Sequence, residues 1–312
     1  MPRLLSPALF ALLFAACGPP APDDPGAVVI DDDDDSAGDD DDSTVGDDDD
    51  STEAGDLQAW AVLVEQETLG SGSASLGFDA FALASFGSGD PLPFGDPDVD
   101  GFLLPGAGLH PEQMAAGEGC DVLSSDDALD PLPATDPVGG VVPFTPSAAA
   151  PVLSLEATGG VYSWEAAEAL DADTYSIGVK GGADWPPASF DDVLQLPAAP
   201  TGFIQGPGGS ISNLATIEFR YTQGDDPGGI EVTMFRWTTA NQTSWAAVRC
   251  RGVDDGSIFM DASSLSMGSG DIAVTVSRAR WVTAGVQAGG RAVHPHLGAV
   301  RSVTYALTPV GR

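Results

Sequence analysis

Basic residues are scarce in this sequence and unevenly placed. Its 312 residues include 47 Asp and Glu but only 11 Lys and Arg, which gives a formal net charge of -36. Apart from Arg3, every basic residue lies at or after Lys180, so the first half of the chain is purely acidic. A protein that binds nucleic acid needs a basic surplus to neutralise phosphates. The sequence therefore excludes nucleic acid as a partner.

The local signatures of several catalytic classes are also missing. The sequence contains no GxSxG elbow, no GxGxxG or GxxxxGK phosphate loop, no HExxH and no CxxC. One lysine and three histidines leave few candidates for histidine-based catalysis. Paired carboxylates carry no local signature, so an exported carboxylate-dependent hydrolase or carbohydrate-active enzyme stays open as an alternative. The sequence favours a protein that is not an enzyme.

The first 16 residues have the anatomy of a secretory signal. One positive charge, Arg3, precedes an apolar run from Leu4 to Ala16, and this run is too short to span a bilayer. Small residues then precede Cys17. We predict a cleaved signal peptide over residues 1–16.

The end of this segment, LFAAC at residues 13–17, resembles the lipobox of bacterial lipoproteins, although Phe14 stands where Leu is usual. The resemblance implies that Cys17 becomes the acylated first residue of the mature protein, with the membrane as its partner through the lipid. The alternative is an ordinary signal peptide and an incidental Cys17. The residue after Cys17 is Gly18, and not the Asp that retains some lipoproteins at the inner membrane. The resemblance therefore favours the outer membrane of a bacterial envelope, either periplasmic or surface-exposed.

Residues 17–56 have almost nothing to bury. Three imperfect repeats, DDDDDSAG, DDDDSTVG and DDDDST, dominate the segment. Such a composition cannot offset the entropy of ordering, and its like charges repel each other. We predict a disordered polyaspartate linker that lifts a domain off a membrane surface. Consecutive carboxylates also attract divalent cations diffusely, so a calcium-binding envelope protein is a further alternative.

Residues 57–312 are long enough for a large core. Helical periodicity is scarce, whereas short alternating runs bounded by Gly, Pro, Asp and Asn are frequent. Ala59–Glu67 and Ser75–Phe86 are typical of two paired strands. We predict an all-β domain, an antiparallel β-sandwich of jelly-roll or immunoglobulin-like type, with a barrel as the alternative.

Four local features of this domain carry specific expectations. Alternation around Val248 and Cys250 places Arg249 and Arg251 on an outward face. In Asp271–Trp281 the apolar parity changes at Arg278, and a β-bulge near Ser277 would restore the apolar face. A short helix is expected from Trp164 to Leu170 behind a Ser163 cap. The Pro- and Gly-rich stretch from Gly87 to Gly119 is expected to be a long loop.

Two cysteines remain once Cys17 is assigned. Cys120 and Cys250 lie in a domain that we expect to be exported, and paired cysteines of exported β domains are commonly bonded. We predict a disulfide between them, and two buried thiols are the alternative. The bond would join the Pro-rich first half of the domain to its strand-rich second half, which favours one domain.

Calcium is the one cofactor for which the sequence offers ligands in a loop-like pattern. Asp96, Asp98, Asp100 and Gly101 match the start of a calcium loop, with the carbonyl of Phe102 as a fourth ligand. Ala107 stands where an EF-hand has its bidentate Glu. The alternative is an acidic surface turn.

Two other groups are candidates for binding. His294 and His296 alternate around Pro295 and share one side of a strand, as two ligands of a metal would. Aromatic side chains near the C-terminal half form a candidate binding surface for a protein or a sugar, the alternative being a strand buried on both sides. Its predicted members are Phe235, Trp237, Trp245 and Trp281.

The order Trp237, Trp245, Cys250 and then DDGS at residues 254–257 resembles the C-terminal part of a group of lipoproteins from myxobacteria and their relatives, in which DDDDS linkers also occur. The resemblance implies compartment and architecture and no activity. The sequence thus predicts an extracytoplasmic, lipid-anchored β-sandwich protein with a binding, adhesion or envelope-structural role. Its partner would be an envelope protein or a polysaccharide.

Overall fold

The computed structural model describes most of the predicted domain. The signal segment, Cys17, the linker up to residue 55 and the predicted calcium loop with Asp96, Asp98, Asp100 and Phe102 lie outside the described residues. The described ranges are 56–69, 75–88, 104–124, 138–158, 161–201, 204–205, 216–224, 228–237, 245–261 and 271–307.

Strands make up almost all of the regular structure, as the alternating apolar pattern predicts. The helical elements of the described residues are a 3-10 turn, Ala107–Leu109, and a short helix α1, Pro111–Ala115. The strands are β1 (Leu57–Leu69), β2 (Ser75–Ser88), β3 (Gly119–Ser124), β4 (Val142–Pro146), β5 (Leu153–Thr158), β6 (Val161–Ala166), β7 (Thr174–Val179), β8 (Ala188–Gln195), β9 (Ile204–Gln205), β10 (Thr216–Arg220), β11 (Ile230–Trp237), β12 (Trp245–Gly252), β13 (Ser257–Asp261), β14 (Asp271–Val282), β15 (Val286–Ala288) and β16 (Arg291–Leu307).

The strands form one large sheet and one small sheet. The large sheet runs in the order β3-β12-β11-β14-β16-β1-β2-β6-β5-β4-β7-β8, with β15 paired to β16, and the small sheet is β13-β10-β9. The β1–β2 hairpin is antiparallel, as predicted. One pair departs from the antiparallel expectation, because β1 lies parallel to β16 along its whole length. The all-β class is confirmed.

The large sheet packs against itself to make a sandwich. Ala61 and Leu63 of β1 and Leu297 of β16 belong to one core cluster with Phe144 of β4 and Ile177 of β7. Strands β5 and β6 connect these two layers in the hydrogen-bonded path. Strand β7 buries alternate side chains, whereas β1 is buried on both faces along nearly its whole length.

Two smaller cores share the rest of the sheet. Val232, Met234 and Val276 contact Phe219 and Met260 of the small sheet. A third cluster lies where Leu104, Ala107 and Leu109 pack with Trp60 and Val300 of the large sheet. The segment 104–117 therefore covers part of the sheet, and the long loop expected between Gly87 and Gly119 contains an ordered turn and helix instead.

The bulge expected near Ser277 does not form. Strand β14 pairs with both neighbours through Ser277 with no shift of register. Arg278 instead takes the inward position and is only 2% exposed. Its guanidinium has enough partners to be buried: Nε donates to Asp254 at 2.7 Å and Nη1 donates to the carbonyl of Ala199 at 3.1 Å. The ion pair between Arg278 and Asp254 allows Arg278 to be buried, so β14 keeps its regular pairing where we expected a β-bulge.

Two further expectations are wrong. The helix expected from Trp164 to Leu170 is strand β6 up to Ala166, because its residues pair with β2 and β5. Arg249 and Arg251 are buried rather than outward-facing, at 1% and 8% exposure. Both lie within ion-pair distance of Asp121 on the neighbouring strand β3, and tertiary contacts of this kind are invisible in local alternation.

Candidate functional site

The segment 104–117 is held to the sheet by one buried carboxylate. Glu231, on β11, is 1% exposed, and its two oxygens accept hydrogen bonds from the backbone N–H groups of Gly106, at 2.8 Å, and Gly108, at 2.7 Å. Charge-assisted bonds of this kind are among the stronger hydrogen bonds in proteins. They fix the chain just before His110.

Glycine is required at both of these contact points. Gly106 has a φ of 77°, and a Cβ there would approach Val300 and Ala279 to 3.0 and 3.1 Å. A Cβ on Gly108 would lie 2.7 Å from Glu231 Oε2. The backbone therefore approaches the sheet as closely as its atoms allow.

Beyond this contact, His110 meets His296. His110 Nε2 lies 3.0 Å from Nδ1 of His296, which is on β16. His110 is 0% exposed and His296 is 6% exposed. Glu112, in the first turn of α1, is exposed and completes a group whose ligand atoms all lie within 4.8 Å of one another. We call His110, Glu112 and His296 the histidine cluster.

Trp281 forms one wall of the histidine cluster. Its ring packs edge-on against His110, with centroids 5.0 Å apart, and its indole N–H donates to the carbonyl of Gly106 at 3.3 Å. Gly298, paired with Trp281 across β14 and β16, leaves room for the indole, because a Cβ there would lie 2.7 Å from the ring. The cluster is thus apolar on the side of the sheet and open on the side of Glu112.

Burial determines the charge of both rings. It lowers the pKa of His110 from 6.5 to about 3, with a smaller contribution from the neighbouring His296. Burial, and then His294, also lower the pKa of His296. Both imidazoles are therefore neutral at neutral pH, and a neutral imidazole has one protonated nitrogen that donates and a second nitrogen whose lone pair accepts a hydrogen bond or binds a metal.

His294 and His296, which we predicted as a pair of metal ligands, lie in different environments. His294 is exposed, and its Nε2 lies 3.0 Å from a carboxylate oxygen of Asp56. His296 instead joins His110, which sequence reasoning had not singled out. The shared spacing of His110-Pro111-Glu112 and His294-Pro295-His296, with two potential ligands around a proline, is a signal that would have pointed to both segments.

The four aromatic residues of the predicted binding surface do not all lie together. The backbones of Trp237 and Trp245 pair with each other, and half-buried Phe235 pairs with Ala273 of β14. Trp281 lies eight residues further along β14, roughly 26 Å away at the rise of a strand. Trp281 packs against the histidine cluster, and a binding surface at the other three residues stays a prediction.

The buried carboxylates that the structure describes all have structural partners. Glu231 binds the backbone of segment 104–117. Asp254 pairs with Arg278. Glu65 pairs with Arg301 at 2.8 Å and accepts a hydrogen bond from the backbone of Leu170. Glu65 shares Arg301 with a second carboxylate, that of Asp173, and the guanidinium bridges the two groups. Glycoside hydrolysis instead requires two carboxyl groups that face each other across the substrate.

The structure contains the predicted disulfide. Cys120 and Cys250 are directly opposite each other on β3 and β12, with their Cα atoms 4.0 Å apart, and their sulfurs are bonded. The bond spans 130 residues of sequence. It therefore ties segment 104–124 to the strand-rich second half of the domain.

Comparison with known proteins gives little further guidance. No protein-family model and no curated protein matches the chain. Among solved structures, the yeast delta-COP-I mu-homology domain is similar at 9% identity and a TM-score of 0.27, over 82% of this chain and 99% of that domain. The same domain complexed with a Dsl1 WxWxV peptide gives 8% identity and a TM-score of 0.25 over the same shares. Similarities at this level carry no argument about fold or function.

Among the described residues, no helix has both the length and the apolar character needed to cross a membrane.

Proposed function

We propose that this protein is a lipid-anchored component of the bacterial cell envelope whose β-sandwich serves binding, adhesion or envelope structure rather than catalysis. The disulfide between Cys120 and Cys250 carries the proposal. Stable disulfides are characteristic of extracytoplasmic compartments. The bond also accounts for two of the three cysteines, so that Cys17 is the one left for acylation.

The order of segments along the chain supports the same proposal. An apolar leader, a cysteine in a lipobox-like context and a polyaspartate spacer precede the folded domain. Acyl chains on Cys17 would hold the protein at the membrane, and repulsion within the spacer would keep the domain away from an acidic surface. The outer membrane is the proposed location, and an envelope protein or a polysaccharide is the proposed partner.

The partners of the buried carboxylates support a non-catalytic role. The described buried carboxylates Glu65, Glu231 and Asp254 are all bound by cations or backbone amides within the fold. Groups engaged in this way hold the layers together and are not available as general acids or bases.

Mass spectrometry of the mature N-terminus tests the anchor. We expect the chain, produced with its own leader in a Gram-negative host, to begin at Cys17 with a diacylglyceryl group and an N-acyl chain. The Cys17→Ser variant is the matched control and should leave the membrane fraction while keeping the Cys120–Cys250 bond. An unmodified thiol at Cys17, or a retained leader, contradicts the proposal.

A further inference from the structure

We propose that the histidine cluster is a binding site for a divalent transition-metal ion of the zinc type. His110 and His296 supply two imidazole nitrogens and Glu112 supplies a carboxylate oxygen, from two segments 186 residues apart in sequence. Two histidines and one glutamate are a ligand set that zinc uses when it keeps a fourth position open for water or another ligand.

The chemistry of the donors selects the class of ion. Imidazole nitrogens suit zinc, copper and nickel, whereas calcium and magnesium prefer sites made of oxygen ligands alone. The cluster is therefore distinct from any diffuse binding of hard cations by the polyaspartate linker. Calcium should therefore compete for the carboxylates of the linker, whereas zinc should compete for the imidazoles of the histidine cluster.

The geometry is close to what a metal ion needs. With zinc-nitrogen bonds of about 2.0 to 2.1 Å, two ligands of a tetrahedral site lie roughly 3.3 to 3.4 Å apart. The facing nitrogens of His110 and His296 are 3.0 Å apart, so the rings must separate by only a few tenths of an ångström. Glu112 is exposed and its side chain can swing to close the remaining gap, which is within 4.8 Å.

Metal binding at these atoms requires one change of tautomer. His110 Nδ1 accepts a long hydrogen bond, 3.4 Å, from the backbone N–H of Glu112, which places the ring proton on Nε2. A metal on Nε2 moves that proton to Nδ1 by way of solvent and breaks this capping contact. The cost is small because this contact is longer than an ordinary hydrogen bond.

A bound ion would join segment 104–117 to β16 at the point where Trp281 shields the rings. The ion would have protein on the sheet side and solvent on the side of exposed Glu112. The open position therefore faces outward, where a carboxylate, phosphate or imidazole group of an envelope partner could complete the coordination.

Cobalt titration tests the site. The probe is Co²⁺ added to the full mature chain in excess calcium, which occupies the aspartate carboxylates without competing for imidazole. We expect one equivalent to give the intense visible absorption of a four- or five-coordinate ion, displaced by Zn²⁺. The Glu112→Gln variant, altered at an exposed position, should bind at least tenfold more weakly, and His296→Gln should not give the absorption.

His294→Ala is the matched control, because His294 is exposed and lies two residues from His296 on the same strand. It should bind like the wild type, and circular dichroism should show every variant folded. Absence of the absorption in the wild type, equal binding by Glu112→Gln and the wild type, or loss of binding in His294→Ala would each overturn the proposal. Failure here leaves the proposed lipid anchor untouched, since that is read from the mass of the N-terminus.

Discussion

Arg278 is a charged residue at an inward-facing position of β14, and its hydrogen bonds allow the strand to stay regular there. It lies on the inward face of β14 in the row of Val274 and Val276, and its side chain is 2% exposed. The carboxylate of Asp254 and three carbonyl oxygens, those of Ala198, Ala199 and Thr222, accept its hydrogen bonds. A buried charge is tolerated only when its partners are this complete.

We therefore expect Arg278→Met to be strongly destabilising. The change leaves the buried carboxylate of Asp254 without its cation, and losing one partner of a buried pair costs about 3 to 5 kcal/mol of unfolding free energy. Urea denaturation followed by tryptophan fluorescence measures the loss. Lys180→Met, at an exposed position directly after β7, is the control and should change stability by less than about 0.5 kcal/mol. Equal effects of the two substitutions would contradict the assignment.

At the scale of elements, segment 104–117 depends on the sheet for its structure. Helix α1 has only five residues, too few to be stable alone. The N–H groups of Gly106 and Gly108 bind Glu231, and Leu104, Ala107 and Leu109 pack against the sheet. Because His110 follows directly, the position of the histidine cluster depends on this attachment.

Replacing the carboxylate tests the attachment. Glu231→Gln keeps the shape of the side chain but points an amide NH₂ at one of the two backbone N–H groups. We expect a loss of about 1 to 3 kcal/mol, the cost of leaving a buried donor unsatisfied. Amide hydrogen exchange should rise within residues 104–117 in particular. Glu218→Gln, whose partner Arg220 is mostly exposed, is the control and should have little effect. Unchanged exchange in the segment would show that Glu231 does not hold it.

At the scale of the whole molecule, one disulfide links parts of the domain that are distant in sequence. Cys120 lies on β3 at the end of the large sheet, and Cys250 lies on β12 beside it. The bond closes a loop of 130 residues that includes strands of both sandwich layers. A cross-link of this length removes much of the freedom of the unfolded chain.

The double variant Cys120→Ser, Cys250→Ser should therefore lose much of its stability. The chain-entropy model predicts about 5 kcal/mol for a loop of this size, and removal of native disulfides from secreted domains costs about 2 to 5 kcal/mol. Guanidinium denaturation without reductant measures the difference. Wild-type protein treated with reductant should match the double variant, and Cys17→Ser should match the untreated wild type. A double variant as stable as the wild type would show that the bond contributes nothing.

How much the sequence predicts depends on whether a feature is local. The β1–β2 hairpin follows from alternation, because a period of two is a property of each strand by itself. The parallel pairing of β1 with β16 joins residues more than 230 positions apart, and no local pattern encodes it. No local pattern encodes the burial of Arg249 and Arg251 either, because it depends on Asp121 of β3, which is far from them in sequence.

The sequence by itself determined the all-β class, the β1–β2 hairpin and the choice of cysteine partners, because alternation, turn residues and the number of cysteines are properties of the chain. Only the tertiary structure decided which histidines meet. His294 and His296 are neighbours in sequence, yet the close contact of His296 is with His110, brought to it by Glu231 and two glycines. The physical reason is that a site assembled from separate segments exists only after the segments pack.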